Sequence, residues 1–165
     1  MNDKLINTEV YNIYGIPDVI AEFPPDGRSR IVHHASVFVE SMMIFSKHRV
    51  SGKQVFVNVH STFFDLLVVE NNKLLFYNTF AYKTAEDFIY FILFSFEQLQ
   101  LSPEQHTIVL SGEIVKNSAL FEILYKYIRY VDFIPPNETI ERSYILNEIS
   151  SHTIINLSNT IICGL

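Results

Sequence analysis

One cysteine, Cys163, and five glycines are all that these 165 residues hold of either type. A lone cysteine rules out an internal disulfide and fits a reducing compartment. Cys163 reads as a small buried apolar residue rather than a nucleophile. No internal repeat and no low-complexity segment is visible. Basic residues are also short: 12 Lys and Arg face 18 Asp and Glu, a net charge of −6, with a pI near 5.4. That balance argues against general affinity for nucleic acid or an anionic membrane, which needs clustered cations. The start, MNDKLINTEV, has no apolar core of the signal-peptide kind. The most apolar stretch, Phe88 to Phe96, is too short to span a bilayer and is interrupted by Tyr90 and Ser95. Asn137-Glu138-Thr139 and Asn156-Leu157-Ser158 match the glycosylation sequon, but nothing indicates secretion, so both read as chance. A cytoplasmic protein is expected.

What is present is apolar mass. At 48% hydrophobic and 14% aromatic residues the chain can build a substantial core, and its length fits one medium domain or one and a half small ones. The organising stretch is VFVNVHSTFFDLLVVENNKLLFYNTF, Val55 to Phe80. Val55, Val57 and Val59 alternate with Phe56, Asn58 and His60, the period of a strand. A second run, Phe63 to Val69, breaks at Glu70-Asn71-Asn72, and a third, Leu74 to Phe80, follows. Asn-Asn between such runs signals a hairpin, because asparagine tolerates positive φ.

Before this meander the pattern reads β-α-β-α. Glu9 to Tyr14 suits a strand, and Pro17 opens a short helix to about Phe23. Pro24-Pro25-Asp26-Gly27 is a turn. Arg30 to His33 suits a brief strand, and Ser36 can cap a helix to about Lys47. Ser51-Gly52-Lys53 is the expected boundary between two units. After the meander, Thr84 with Asp87 predicts a capping box, opening a helix that is apolar around most of its circumference and so buried on more than one side. Thr107 to Leu110 suits a buried strand, and Asn117 to Tyr130 a helix with Leu120, Phe121, Leu124, Tyr127, Ile128 and Val131 inward. Val131 to Ile134 suits a strand, and a terminal helix is expected within Ser150 to Leu157.

From Val55 onward the order is thus β-β-β-α-β-α-β-α. It resembles a ribonuclease H-like unit, the α/β module that actin-like ATPases carry twice, and is closest to their second half. The family's Asp-x-Gly strand and threonine-rich turn fall on Asn58-Val59-His60 and Ser61-Thr62, and its adenosine-side glycine motif on Gly112-Glu113. Residues 1–50 resemble the closing part of a first actin-like unit, whose opening three strands and helix are absent from this chain, and 51–165 the second unit. More narrowly, the chain resembles DUF3822, a Bacteroidetes family of uncharacterised proteins with an actin-like ATPase fold. That likeness rests on His33, LLFYNTFAYKTAEDFIYFILF from Leu74, LSGE from Leu110 and YIRYVDF from Tyr127.

The resemblance implies a nucleotide cleft at Asn58, His60, Ser61, Thr62, Gly112 and Glu113, and ATP with Mg²⁺ as its ligand. The residues argue for a degenerate one. Asn58 lacks the charge that holds magnesium, and His60 puts a ring where glycine would admit phosphate. Nuclease chemistry fares no better, because two metals need several converging carboxylates. Glu86 and Asp87 read as helix-start residues, Glu113 stands alone, and Asp65 reads as a turn or edge residue, the lesser alternative being a remnant polar cleft with Asn58. No HExxH or CxxC spacing occurs, and His33 and His34, neighbours on a strand, would point to opposite faces, so no metal site is expected. Asn78-Thr79-Phe80 reads as a strand end satisfying backbone groups, in preference to binding a ligand through Asn78 and Thr79. The expectation is a non-catalytic actin-like scaffold that binds a protein partner or a second copy of itself. The alternative is an ATP-binding protein completed by a missing half or by a partner.

Overall fold

The computed structural model describes residues 1–21, 31–47, 52–136 and 149–160. The chain opens with a small antiparallel ribbon, β1 (Asn2–Lys4) on β2 (Tyr11–Ile13), with Asp3 opposite Asn12. Only β2 was legible, within Glu9 to Tyr14; β1 carries too few apolar residues to announce a strand. A single helical turn, α1 (Asp18–Ala21), follows Pro17. The Pro24 to Gly27 turn, Phe23, Arg30, His48, Ser51 and Cys163 lie outside the described residues.

Helix α2 (His34–Ser46) starts two residues before the expected cap. His33 holds extended backbone and caps the helix, its Nδ1 accepting from the Ala35 N–H at 3.2 Å. Ser36 lies inside the helix and donates instead to Asp3 Oδ2 at 2.7 Å. Asp3 also accepts the His33 N–H at 2.9 Å. A carboxylate from the distant ribbon thus satisfies the first turn, which no local pattern could reveal. The described order ahead of the meander is therefore β-β-α-α, not β-α-β-α.

The meander forms as read: β3 (Lys53–Val59), β4 (Phe63–Glu70) and β5 (Lys73–Ala81). Asn71 and Asn72 sit at φ of 50° and 61°, the left-handed pair that suits a two-residue hairpin turn. Helix α3 (Ala85–Gln98), β6 (Thr107–Gly112), α4 (Ala119–Tyr127), β7 (Tyr130–Phe133) and α5 (Ile155–Asn159) complete the order. The sheet runs β5-β4-β3-β6-β7, antiparallel among the meander strands and parallel from β3 through β6 to β7. The two parallel joins need crossovers, which α3 and α4 supply.

Both faces of the sheet are covered. Val55, Val57, Val59, Phe64, Leu66, Val68, Ile108 and Leu110 pack against α3 and α4. Phe56, Leu67, Val69 and Val109 pack with Phe38, Met42 and Met43 of α2, and with Ile155 of α5. Residues 34–46 and the meander therefore share one core.

Two helices differ from expectation. Helix α3 buries one face, Phe88, Ile89, Ile92 and Phe96, while Tyr90 and Phe94 are exposed. No element packs on its outer side among the described residues. Helix α4 ends at Tyr127 because the chain must enter β7 at Tyr130. Leu124 and Ile128 are buried, Leu120, Phe121 and Val131 pack half-buried against the same core as expected, and Tyr127 is exposed instead. Among the described residues no helix is long and apolar enough to cross a membrane.

The α3 start is a complete capping box. Thr84 Oγ1 accepts the Asp87 N–H at 3.1 Å, and Asp87 Oδ2 accepts the Thr84 N–H at 3.2 Å and the Lys83 N–H at 3.0 Å. Thr84→Ala is expected to cost about 1 kcal/mol, read as a shift in the urea midpoint. An unchanged midpoint would mean the box contributes nothing.

Candidate functional site

Strand alternation places one residue set on each face. On the face toward α2, the register lines up Thr79, Asp65, Asn58 and Ser111 as one row across β5, β4, β3 and β6. The row interrupts an otherwise apolar face. Three of its members, Asp65, Asn58 and Ser111, are buried. His60, two residues beyond Asn58, extends the same face, and His34 enters from the first residue of α2.

Asp65 is the hub. Its Oδ1 accepts from the Thr79 hydroxyl at 2.7 Å and the Tyr77 hydroxyl at 2.8 Å. Its Oδ2 accepts from Asn58 Nδ2 at 3.3 Å and lies 3.2 Å from His60 Nε2. His34 Nε2 stands 3.5 Å from Oδ2, close enough for charge attraction but without a hydrogen bond of its own. Burial pushes the Asp65 carboxyl up, but His34, His60, Thr79 and Tyr77 together outweigh it and hold the group far below the usual carboxylate range. Burial and the Asp65 charge push the Tyr77 phenol up, so it remains a donor. His33 titrates below the ordinary imidazole range, first from burial and then from the neighbouring His34. Rings enclose the open side: His60 stacks on Phe63 at 4.3 Å, and His34 lies 5.4 Å from His60 and 4.5 Å from His33.

Of the expected cleft residues, Asn58 and His60 join this cluster, and Gly112 adjoins Asn58. Ser61 and Thr62 form the exposed turn between β3 and β4, and Glu113 is exposed. The fit to ATP and Mg²⁺ can be judged from the groups that would receive phosphate. The Gly112 N–H donates to the His152 carbonyl at 2.8 Å, and the Glu113 N–H to the Val59 carbonyl at 2.7 Å. The Asn58 amide is held by Ser111 Oγ at 3.0 Å on its oxygen and by Asp65 and His60 on its nitrogen. The segment carrying His152 covers this end of β6: its Nε2 meets the Ile114 carbonyl at 2.8 Å, and its ring lies 4.4 Å from Phe133. These residues do not fit a nucleotide phosphate.

Several expectations need correction. Asp65 is neither a turn nor an edge residue; it is buried in β4, a strand paired on both sides, where only a ring of donors makes a carboxylate tolerable. His33 and His34 do not alternate on a strand, because α2 begins at His34. Thr79 serves a side chain rather than the backbone. His34 and Tyr77 were missed as site residues, and Asp65 and Thr79 stood only as the less favoured alternative to structural roles. A signal for three of the cluster existed: Asn58, His60 and Asp65 share a face once the β3–β4 register is drawn. Nothing in the pattern could bring in His34.

A structure search finds a solved protein from Bacteroides thetaiotaomicron VPI-5482, described as having an actin-like ATPase fold and unknown function. The match has a TM-score of 0.69 and 25% sequence identity, and it covers 81% of this chain. The chain spans about half of that protein, 52% of its length. No curated protein matches. The sheet described above accords with the actin-like, ribonuclease H-like fold. Residues 1–131 match the family "Protein of unknown function (DUF3822)", and with four-fifths of its length inside that match the chain belongs to the DUF3822 family.

Proposed function

We propose that this protein is a non-catalytic actin-like module that works by binding another protein, either a different partner or a second copy. The observation that carries this reading is the internal use of the Gly112 and Glu113 N–H groups. A phosphate clamp needs such donors free and pointing at the ligand. Here the chain's own carbonyls occupy them, and Asn58 stands where an aspartate would hold the ion. The surface offers binding features in place of the cleft. Strand β5 is a sheet edge, and edges present unpaired backbone groups. Beside it Phe80 stacks on Phe91 at 5.0 Å, next to exposed Tyr90 and Phe94.

A second reading is ATP binding completed by a longer chain or a partner. It draws on the greater length of the actin-like neighbour. Isothermal titration with ATP and Mg²⁺ separates the two. No heat of binding is expected up to millimolar nucleotide, whereas micromolar binding with turnover would overturn the scaffold reading.

A further inference from the structure

We propose that His34, His60 and Asp65 form a site for one divalent transition-metal cation of the zinc class, held by the two Nε2 atoms and by Asp65 Oδ2. The inference does not depend on the scaffold reading.

The first support is spacing. One ligand atom from each residue lies within 4.8 Å of the other two. Asp65 Oδ2 is 3.2 Å from His60 Nε2 and 3.5 Å from His34 Nε2. A tetrahedral ion with bonds of about 2.0–2.2 Å separates its ligand atoms by roughly 3.3–3.5 Å. Two of the three edges are therefore already near the required length. His60, just past the end of β3, and Asp65 on β4 share one hairpin, while His34 reaches them from α2, so the third ligand is not brought in by sequence proximity.

The second support is proton accounting. His34 Nε2 is a buried atom with no hydrogen-bond partner. His60 Nε2 lies 2.8 Å from Asn58 Nδ2 and 3.2 Å from Asp65 Oδ2. The Asn58 orientation is set from its other side, where Oδ1 accepts the Ser111 hydroxyl at 3.0 Å. A proton on His60 Nε2 would serve Asp65 but confront the Asn58 amide hydrogens. Without that proton, lone pairs of His60 and Asp65 face each other. A proton on His34 Nε2 would meet Asp65 Oδ2 only at 3.5 Å, an ion-pair contact too long for a good hydrogen bond. A cation among the three atoms satisfies all of them at once.

The third support is the outer ring of donors. Tyr77 and Thr79 hold Oδ1 and leave Oδ2 facing the histidines, the arrangement that orients a ligating carboxylate. Two imidazoles and one carboxylate suit zinc, iron(II) or cobalt(II) better than magnesium or calcium, which prefer all-oxygen sets. The His34 and His60 side chains are 39% and 25% exposed, so an ion can enter, and the fourth position is open to water. The bound ion would pin the start of α2 to the β3–β4 hairpin.

The test uses full-length protein stripped with a chelator and titrated with Zn²⁺ and Co²⁺. Expected are one equivalent of tight binding, Co²⁺ ligand-field bands of tetrahedral intensity, and a melting temperature that rises with free zinc. His34→Ala should retain the fold by circular dichroism, because this imidazole makes no hydrogen bond at Nε2 and alanine suits a helix. It should weaken binding by about 100-fold or more, as loss of a direct ligand exceeds the loss of an outer partner. Histidine side-chain ¹⁵N spectra of the unaltered protein give a second readout that needs no variant: zinc should shift two Nε2 resonances and leave His106 unmoved. Absence of micromolar binding, equal affinity in His34→Ala, or zinc shifts at other histidines would each overturn the assignment.

Discussion

Gly112→Ala is expected to destabilise the protein by roughly 3–5 kcal/mol, against about 1–2 kcal/mol for Gly52→Ala. Both glycines have positive φ, 83° at Gly112 and 124° at Gly52. Either substitution therefore bears backbone strain. Only Gly112 is also crowded. A Cβ there would stand 2.1 Å from the Val59 carbonyl oxygen, 2.8 Å from the Val59 nitrogen and 2.9 Å from Asn58 Oδ1. The first two belong to the backbone of the central strand, which cannot yield without breaking the parallel β3–β6 ladder. Nothing lies within 4 Å of a Cβ at Gly52. Urea midpoints of the two variants provide the comparison. Losses within 1 kcal/mol of each other would show that the close approach is not a packing constraint. The result bears on function too. A glycine kept for phosphate would tolerate alanine in stability and lose only ligand, whereas a glycine kept for its neighbouring strand loses the fold.

Asp65→Ala is the second large effect, an expected loss of about 3–5 kcal/mol. The carboxylate is fully buried and accepts from Thr79, Tyr77 and Asn58, with His60 in contact. Its removal takes the shared acceptor from the buried Asn58 amide, the half-buried Tyr77 hydroxyl and the exposed Thr79 hydroxyl, and an unmade hydrogen bond at the buried members is costly. Asp65→Asn keeps an acceptor for the two hydroxyls but offers an amide hydrogen to the rest, so an intermediate loss is expected. Thr79→Val should cost only about 1 kcal/mol, because Tyr77 still serves Oδ1. The series is best measured with chelator present, so that a bound ion does not contribute. If Asp65→Ala matched Thr79→Val, the hub would not be holding the row together.

The two variants probe parts of the fold that differed in legibility. The meander could be read because its signals are local. Alternation marks each strand, Asn71-Asn72 tolerates the turn, and the Thr84–Asp87 box needs only four consecutive residues. The helix at His34–Ser46 was read from its own residues, but its first turn could not be placed, because Asp3, some thirty residues earlier, supplies part of its cap. The inward face of α3 was overdrawn for a related reason. A helix rich in phenylalanine reads as buried all round, yet only the packing partners decide which rings are covered, and Tyr90 and Phe94 found none among the described residues.

The candidate site shows the same division. Asn58, His60 and Gly112 stood out by their resemblance to a motif, while Asp65 was set aside because an isolated acid in an apolar strand carries no local sign of its partners.

The order of strands and helices from Val55 onward was written in the linear chain, since it rests on periodicity and turn residues that act locally, and the likeness to the DUF3822 family lies in stretches of sequence that need no fold to be compared. The cross-sheet polar row, the inward use of the Gly112 and Glu113 N–H groups, and the meeting of His34 with His60 and Asp65 were decided only by the folded molecule. Each depends on strand register and on α2 lying across the sheet, and those are long-range contacts that no single stretch of residues encodes.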